Sequence, residues 1–281
     1  MKLFDRLENR TEELAFGIAM GAADWTLSKL PGTFPPRPSH LPPARIIAHR
    51  GAWRVRGCAE NTFSAFDRAR EAGCWGIEFD VRLTKDGVPV VHHDETLLRT
   101  FGRPLAISDL TLSTLHHEAK DVPTLESVIA EYGPSLHLMI ELKPNGVDWT
   151  KERLLHVREL LKKRTPETDF HIMSLDTELL ESFSRVTQTS RKALVAVTTT
   201  DIQSTSDIAY HRGYKGFCSH WLLMTEAMID RHHSIQQSCG VGFAASYKSL
   251  MREWSRGIDW VFTNHGHEAP EWLSQIESKP R

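Results

Sequence analysis

Glu78 and Asp80, two residues apart in the run GIEFDV, would share one face of a strand. Carboxylates held side by side repel each other unless a cation or a proton intervenes. The run HLMIELKP repeats the device, with Glu141 and Lys143 two apart after an apolar stretch. A third carboxylate beside an ammonium suits a site that gathers a hard cation and an anion together. In IIAHRG, His49, Arg50 and Gly51 follow an apolar run. The imidazole could move a proton near neutral pH, and the guanidinium could fork onto phosphate oxygens. Glu60, in CAENT, could brace Arg50, and the trio His92-His93-Asp94 supplies further imidazoles. Plainer roles stay open at this point. Glu78 and Asp80 could salt-bridge arginines at a barrel rim, and Glu141 and Lys143 could form an ordinary surface pair.

These residues need elements to aim them. From residue 45, apolar strand-like runs fall at 45–49, 76–82, 88–93, 136–142, 169–174, 193–198, 216–220, 241–245 and 259–263. Helix-like runs lie between most of them, at 61–72, 123–132, 151–163, 176–186, 225–237 and 247–256. Such alternation predicts an α/β fold with a parallel sheet, here a TIM (β/α)8 barrel. One strand-like run is in excess. The runs at 76–82 and 88–93 flank Thr84-Lys85-Asp86-Gly87, too short for a parallel crossover, so they form a hairpin. Turning there sets Asp80 opposite His92 and Glu78 opposite Asp94. Strands of a parallel barrel deliver chemistry at their carboxyl ends, where His49, Arg50, Glu141 and Lys143 all fall.

Residues 3–30 carry apolar side chains at helical spacing, and a proline-rich stretch over 31–43 follows. The expected division is an N-terminal helix and linker over 1–44, a barrel over 45–270 and a tail over 271–281. The helix is expected to cover the barrel, with membrane contact or self-association as alternatives. Its apolar stretch is too short to span a bilayer.

Net charge is −2 over 281 residues, which gives no basic excess of the kind that marks a nucleic-acid binder. Four cysteines lack CxxC spacing and read as reduced thiols of a cytoplasmic protein. The pairs His116-His117 and His232-His233 sit in polar segments and are expected on the surface. His220-Trp221, at a strand end, is expected either to line the pocket or to pack the rim. Trp254, Trp260 and Trp272 are expected to pack helices on the barrel.

In order along the chain, HRG, AENT, IEFDV with LTKDG, VVHHD and IELKP resemble the glycerophosphodiester phosphodiesterase family. That family belongs with the phospholipase-C-like phosphodiesterases on a TIM barrel. The resemblance implies that His49 and His93 form an acid/base pair, His93 being chosen because it directly precedes Asp94. It implies that Arg50 and Lys143 meet the phosphate, with Glu60 and Asn61 in the same pocket. Glu78, Asp80 and Glu141 would hold one divalent cation, Mg²⁺ or Ca²⁺, because all the donors are oxygens. The substrate would be a small-molecule phosphodiester, cut to an alcohol and glycerol 3-phosphate.

The later half departs from the family. Leu175 stands where an aromatic is usual, VGFAASYKSL replaces a Trp-Thr-Val-Asn strand, and Thr263-Asn264 replaces Thr-Asp. These positions fall on the rim that would touch the alcohol portion of the substrate. Two rival readings follow: a lysophospholipase D-like enzyme acting on lysolipids, and a non-catalytic barrel that binds phosphate esters.

Overall fold

The computed structural model describes residues 21–27, 29, 34–144 and 146–278. Among the described residues nine strands form one sheet: β1 (Arg45–His49), β2 (Gly76–Leu83), β3 (Pro89–Val91), β4 (His137–Leu142), β5 (Phe170–Ser174), β6 (Leu194–Val197), β7 (Gly216–His220), β8 (Ser238–Gly242) and β9 (Trp260–Thr263). β1 pairs in parallel with both β2 and β9, which closes eight parallel strands into a barrel. The excess strand is β3, antiparallel to β2, with Val81 opposite Val91 and Leu83 opposite Pro89. That is the hairpin expected from the short turn, and the His92 N–H donates to the Asp80 carbonyl.

Residues 21–27 form a helical segment, α1. The described residues form further helices: α2 (Phe63–Glu71), α3 (Leu98–Phe101), α4 (Leu112–Glu118), α5 (Leu125–Tyr132), α6 (Lys151–Leu160), α7 (Thr177–Thr187), α8 (Ile202–Arg212), α9 (Glu226–His233), α10 (Tyr247–Ser255) and α11 (Ala269–Glu277). α3 and α4 belong to an insertion between β3 and α5. The segment read as a tail begins inside α11, so the last barrel helix occupies most of it.

Strand pleating sorts the side chains. Ile77, Phe79 and Val81 of β2 and Leu138, Ile140 and Leu142 of β4 join the outer core beneath the helices. The alternate positions turn into the barrel. There Ile47, Met139, Met173, Val195 and Cys218 fill the interior. Strands covered on both faces can be buried throughout, and β2 and β4 are. Glu78, Asp80 and Glu141 take inward positions on these two strands, with Glu78 level with His49 at the end of β1 and Asp80 level with Glu141 near the end of β4.

The opposite end is sealed. Trp75 stacks on His137 with ring centroids 4.1 Å apart, His137 Nε2 lies 2.7 Å from His171 Nδ1, and His171 packs on Trp260. Trp260 therefore plugs the interior rather than packing a helix, because β9 turns it inward. Trp254 and Trp272 pack on the outer core as expected.

The N-terminal part is fastened to the barrel. Ala23 and Leu27 pack on the outer core, and Asp24 meets Ser246 at the start of α10. Arg37, in the proline-rich linker, is buried and donates to the carbonyls of Pro42, Trp254 and Ile258. Of the helix expected over residues 3–30, residues 3–20 lie outside the described residues.

His232 is buried, not superficial: its ring nitrogens meet Ser206 Oγ and Gln237 Oε1. A polar-looking segment hid a satisfied interior histidine. β8 begins three residues earlier than the apolar pattern implied, which leaves Phe243 at the mouth instead of inside the strand.

Gly51 supports the whole β1 end. Its φ is +81°, and a Cβ there would lie 2.7 Å from Ala65 Cβ and 2.8 Å from the Ala65 carbonyl carbon. Gly51→Ala is expected to lower unfolding stability by about 1–2 kcal/mol for the backbone conformation alone, and by more through the clash with α2. Urea unfolding of both forms measures it.

Candidate active site

The mouth of the barrel gathers residues from separate segments of the chain. Glu78, Asp80 and Glu141 are buried, with one carboxylate oxygen of each lying within 4.8 Å of the others. Lys143 Nζ sits 2.6 Å from Glu141 Oε1 and 3.0 Å from Asp80 Oδ1. Arg50 Nε lies 3.4 Å from Asp80 Oδ2. The Asn61 amide donates to the same oxygen at 2.9 Å.

Three carboxylates thus face one ammonium and a guanidinium that Glu60 already shares. The imbalance shows in their protonation. Burial, then the neighbouring Asp80 and Glu141, pushes the Glu78 carboxyl well above the usual range. Burial would also raise Asp80, but Lys143, His93 and Arg50 outweigh it and hold this carboxyl low. Burial opposes the Lys143 charge, yet Asp80 and Glu141 raise its pKa.

The donors fit a hard divalent cation. All are oxygens, and Glu78 Oε1 and Asn61 Oδ1 are buried without a hydrogen-bond partner among the described residues. Ligand oxygens on opposite sides of Mg²⁺ or Ca²⁺ lie about 4–5 Å apart, and the oxygens of this cluster fall within 4.8 Å of one another.

The two imidazoles are held in the same manner. His49 Nδ1 lies 2.8 Å from Asn264 Oδ1. That oxygen accepts only, so Nδ1 carries the hydrogen and Nε2 keeps its lone pair. His49 Nε2 is 3.8 Å from Glu78 Oε2. His93 Nδ1 lies 2.7 Å from Asp94 Oδ1, which likewise leaves Nε2 for another partner. Burial, with Arg50 beside it, pushes His49 down to about 3. His92 has no nitrogen left to offer, since it meets the Asp94 carbonyl and Thr100 Oγ1. This supports His93 over its neighbour.

Local backbone serves the site. Arg50 and Asn61 both adopt φ +57°, and the Arg50 N–H donates to Glu78 Oε2 at 3.1 Å. Buried Arg82 donates to the His93 and Pro144 carbonyls, joining the loops after β3 and β4. Glu60 is a brace: Arg50 and Arg99 donate to its oxygens.

Three residues at the site escaped the sequence reading. Asn264 holds His49, although its position was visible as the departure from Thr-Asp. Arg99 bridges Glu60 and Asp94, and its only signal was its place five residues after Asp94. Phe243 packs edge-on against His49, with centroids 4.6 Å apart. His220 also reaches this side, 6.1 Å from the Phe243 ring. Ser174 donates to the Leu142 carbonyl and so is structural.

The fold and mouth define a parallel (β/α)8 barrel carrying a buried carboxylate cluster and two imidazoles at its carboxyl end. A model of the Glycerophosphoryl diester phosphodiesterase family matches residues 49–236, and the chain belongs to that family. The glycerophosphodiester phosphodiesterase of Bacillus altitudinis is 29% identical over 250 residues, covering 78% of this chain and 94% of that protein. That of Caldanaerobacter subterraneus subsp. tengcongensis is 42% identical over 97 residues, covering 34% of this chain. The matched part spans only 39% of that relative's length. The solved glycerophosphodiester phosphodiesterase from Thermotoga maritima superposes with a TM-score of 0.68 at 26% identity, covering 81% of this chain and 97% of that one.

Divalent cations are expected to raise the thermal midpoint of the protein. At a concentration one hundred times Kd the gain is about 2.7 kcal/mol. Asp80→Asn should abolish the metal-dependent rise while still unfolding cooperatively. Thermal scans across a Mg²⁺ and a Ca²⁺ series, after EDTA treatment, provide the check.

Proposed function

We propose that this protein hydrolyses glycerophosphodiesters to an alcohol and glycerol 3-phosphate, using one divalent cation, Mg²⁺ or Ca²⁺. The observation that carries the proposal is the convergence of three buried carboxylates with two imidazoles whose Nδ1 atoms are both tied down. Glu78, Asp80 and Glu141 would hold the cation. When bound, it supplies fixed positive charge to the non-bridging oxygens of the phosphodiester.

The chain's own groups do the rest. Arg50, braced by Glu60, and Lys143 bind and orient the phosphate as preset countercharges. Asn61 holds Asp80 in place. Of His49 and His93, one removes the proton of the nucleophile, a water or a neighbouring substrate hydroxyl. The other protonates the leaving alkoxide, and such transfers typically contribute ~10²–10⁴-fold each. Asn264 and Asp94 fix the rings so that Nε2 is the working atom.

A second reading is favoured by the rim. Leu175, Leu222 and Phe243 follow β5, β7 and β8 and are each about two-fifths exposed. Apolar side chains at a polar mouth favour a substrate with an acyl chain, as in lysolipid hydrolysis. The same face would serve membrane contact, with α1 and its exposed Trp25 fastened beside the loop after β8. No helix among the described residues is long and apolar enough to cross a membrane. The four free thiols support the cytoplasm as the proposed location.

A panel of glycerophosphodiesters and lysolipids, assayed with EDTA and metal add-back, tests both. Phosphomonoester release should stop with chelation and return with metal. His49→Ala and His93→Ala should each lower kcat by about 10²–10⁴-fold in folded protein. Full activity in both variants would end the proposal. Leu175→Ser and Leu222→Ser should weaken turnover of lysophosphatidylcholine but not of glycerophosphocholine if the acyl-chain reading holds.

A further inference from the structure

We infer that Arg99 is a positioning residue that locks the phosphate-binding arm to the proton-transfer arm of the site. The inference rests on the hydrolase reading above. Arg99 lies on α3, in the insertion outside the barrel proper. Its Nε donates to Asp94 Oδ2 at 2.7 Å, and its Nη2 reaches Asp94 Oδ1 at 3.1 Å. Nη1 donates to Glu60 Oε2 at 3.0 Å, and Nη2 also meets Glu60 Oε1. One planar guanidinium therefore grips both oxygens of two carboxylates.

Each carboxylate leads to a different task. Glu60 continues to Arg50 Nη1 at 3.0 Å, and Asp94 continues to His93 Nδ1 at 2.7 Å. The path from phosphate ligand to imidazole runs Arg50, Glu60, Arg99, Asp94, His93 without a break. Both carboxylates stay ionised. Burial alone would raise them, but Arg99 with Arg50 outweighs it at Glu60, and His93 with Arg99 outweighs it at Asp94. Two like charges that must sit near each other need a cation between them, and Arg99 is placed there.

Geometry, more than charge, is the contribution. A rigid fork fixes the angle between two carboxylates, which a flexible ammonium does not. The fork sets the distance between the guanidinium that holds the phosphorus and the imidazole that moves a proton. Small errors in such a distance are costly to rate. Arg99 touches neither cation ligand nor, by its position behind Glu60 and Asp94, the reacting atoms.

The test uses Arg99→Ala and Arg99→Lys in the full chain, read in two ways. Steady-state assay of a glycerophosphodiester with saturating Mg²⁺ should show kcat about 10–100-fold lower and KM several-fold higher in Arg99→Ala. Arg99→Lys should restore thermal stability but leave most of the kcat deficit. Nitrogen NMR of the imidazoles should show His93 largely protonated at Nδ1 in the parent and as a tautomer mixture in Arg99→Ala, with His49 unchanged. Wild-type kcat, KM and His93 signals in Arg99→Ala would overturn the inference. If Arg99→Ala fails to fold, Arg99→Lys decides, and full recovery of kcat and KM by lysine overturns it. A parent protein that cleaves no diester refutes the hydrolase reading, while the NMR comparison still decides whether Arg99 governs His93.

Discussion

Three carboxylate groups buried at one end of a closed sheet are the constraint on which the structure turns. Burying a charge is costly unless it is paired, and Glu78, Asp80 and Glu141 are packed beside one another where water is scarce. The chain offsets part of that cost with Lys143 and Arg50, whose own burial is tolerated because of these acids. The offset is incomplete, and burial with the neighbouring Asp80 and Glu141 pushes the Glu78 carboxyl above its usual range. An arrangement that remains one positive charge short is costly as structure alone. It fits the proposed cradle for a divalent cation beside an anionic phosphate.

The barrel exists to hold that tension. Closure of eight strands fixes β2 beside both β1 and β4, with His49 level with Glu78 and Asp80 level with Glu141. Pleating then aims alternate side chains inward without further instruction. The aromatic and imidazole plug from Trp75 to Trp260 closes the far end, so the polar mouth faces solvent on one side only. The hairpin strand β3 brings His93 to the same mouth, and Arg82 clamps its carbonyl to the loop after β4.

Much of this was legible in residue order. Alternation of apolar runs gave the barrel, and the two-residue spacings Glu78–Asp80 and Glu141–Lys143 gave the shared inward face. The short turn at Asp86-Gly87 gave the hairpin and its pairing. What was illegible had physical causes. α8 buries Thr205, Ser206 and Ala209, so no apolar stripe announced it. β8 starts on Ser238, Cys239 and Gly240, small residues with little hydrophobic signal, and Gly240 is there because a side chain would strike Cys218 and Phe262. His232 looked superficial because its partners Ser206 and Gln237 are polar and only one of them is near in sequence. Arg99 and Asn264 act across folds of the chain, and nothing local to either reveals its partner.

The central proposal is that Glu78, Asp80 and Glu141 form the cation site. The most direct measurement is a crystal structure of the protein soaked in Mn²⁺, with data collected for anomalous scattering. The account predicts one strong peak at roughly 2.0–2.6 Å from oxygens of Glu78, Asp80 and Glu141, with Lys143 displaced toward the phosphate side. A peak elsewhere, or none, with Lys143 still bonded to Glu141 and Asp80, would contradict it.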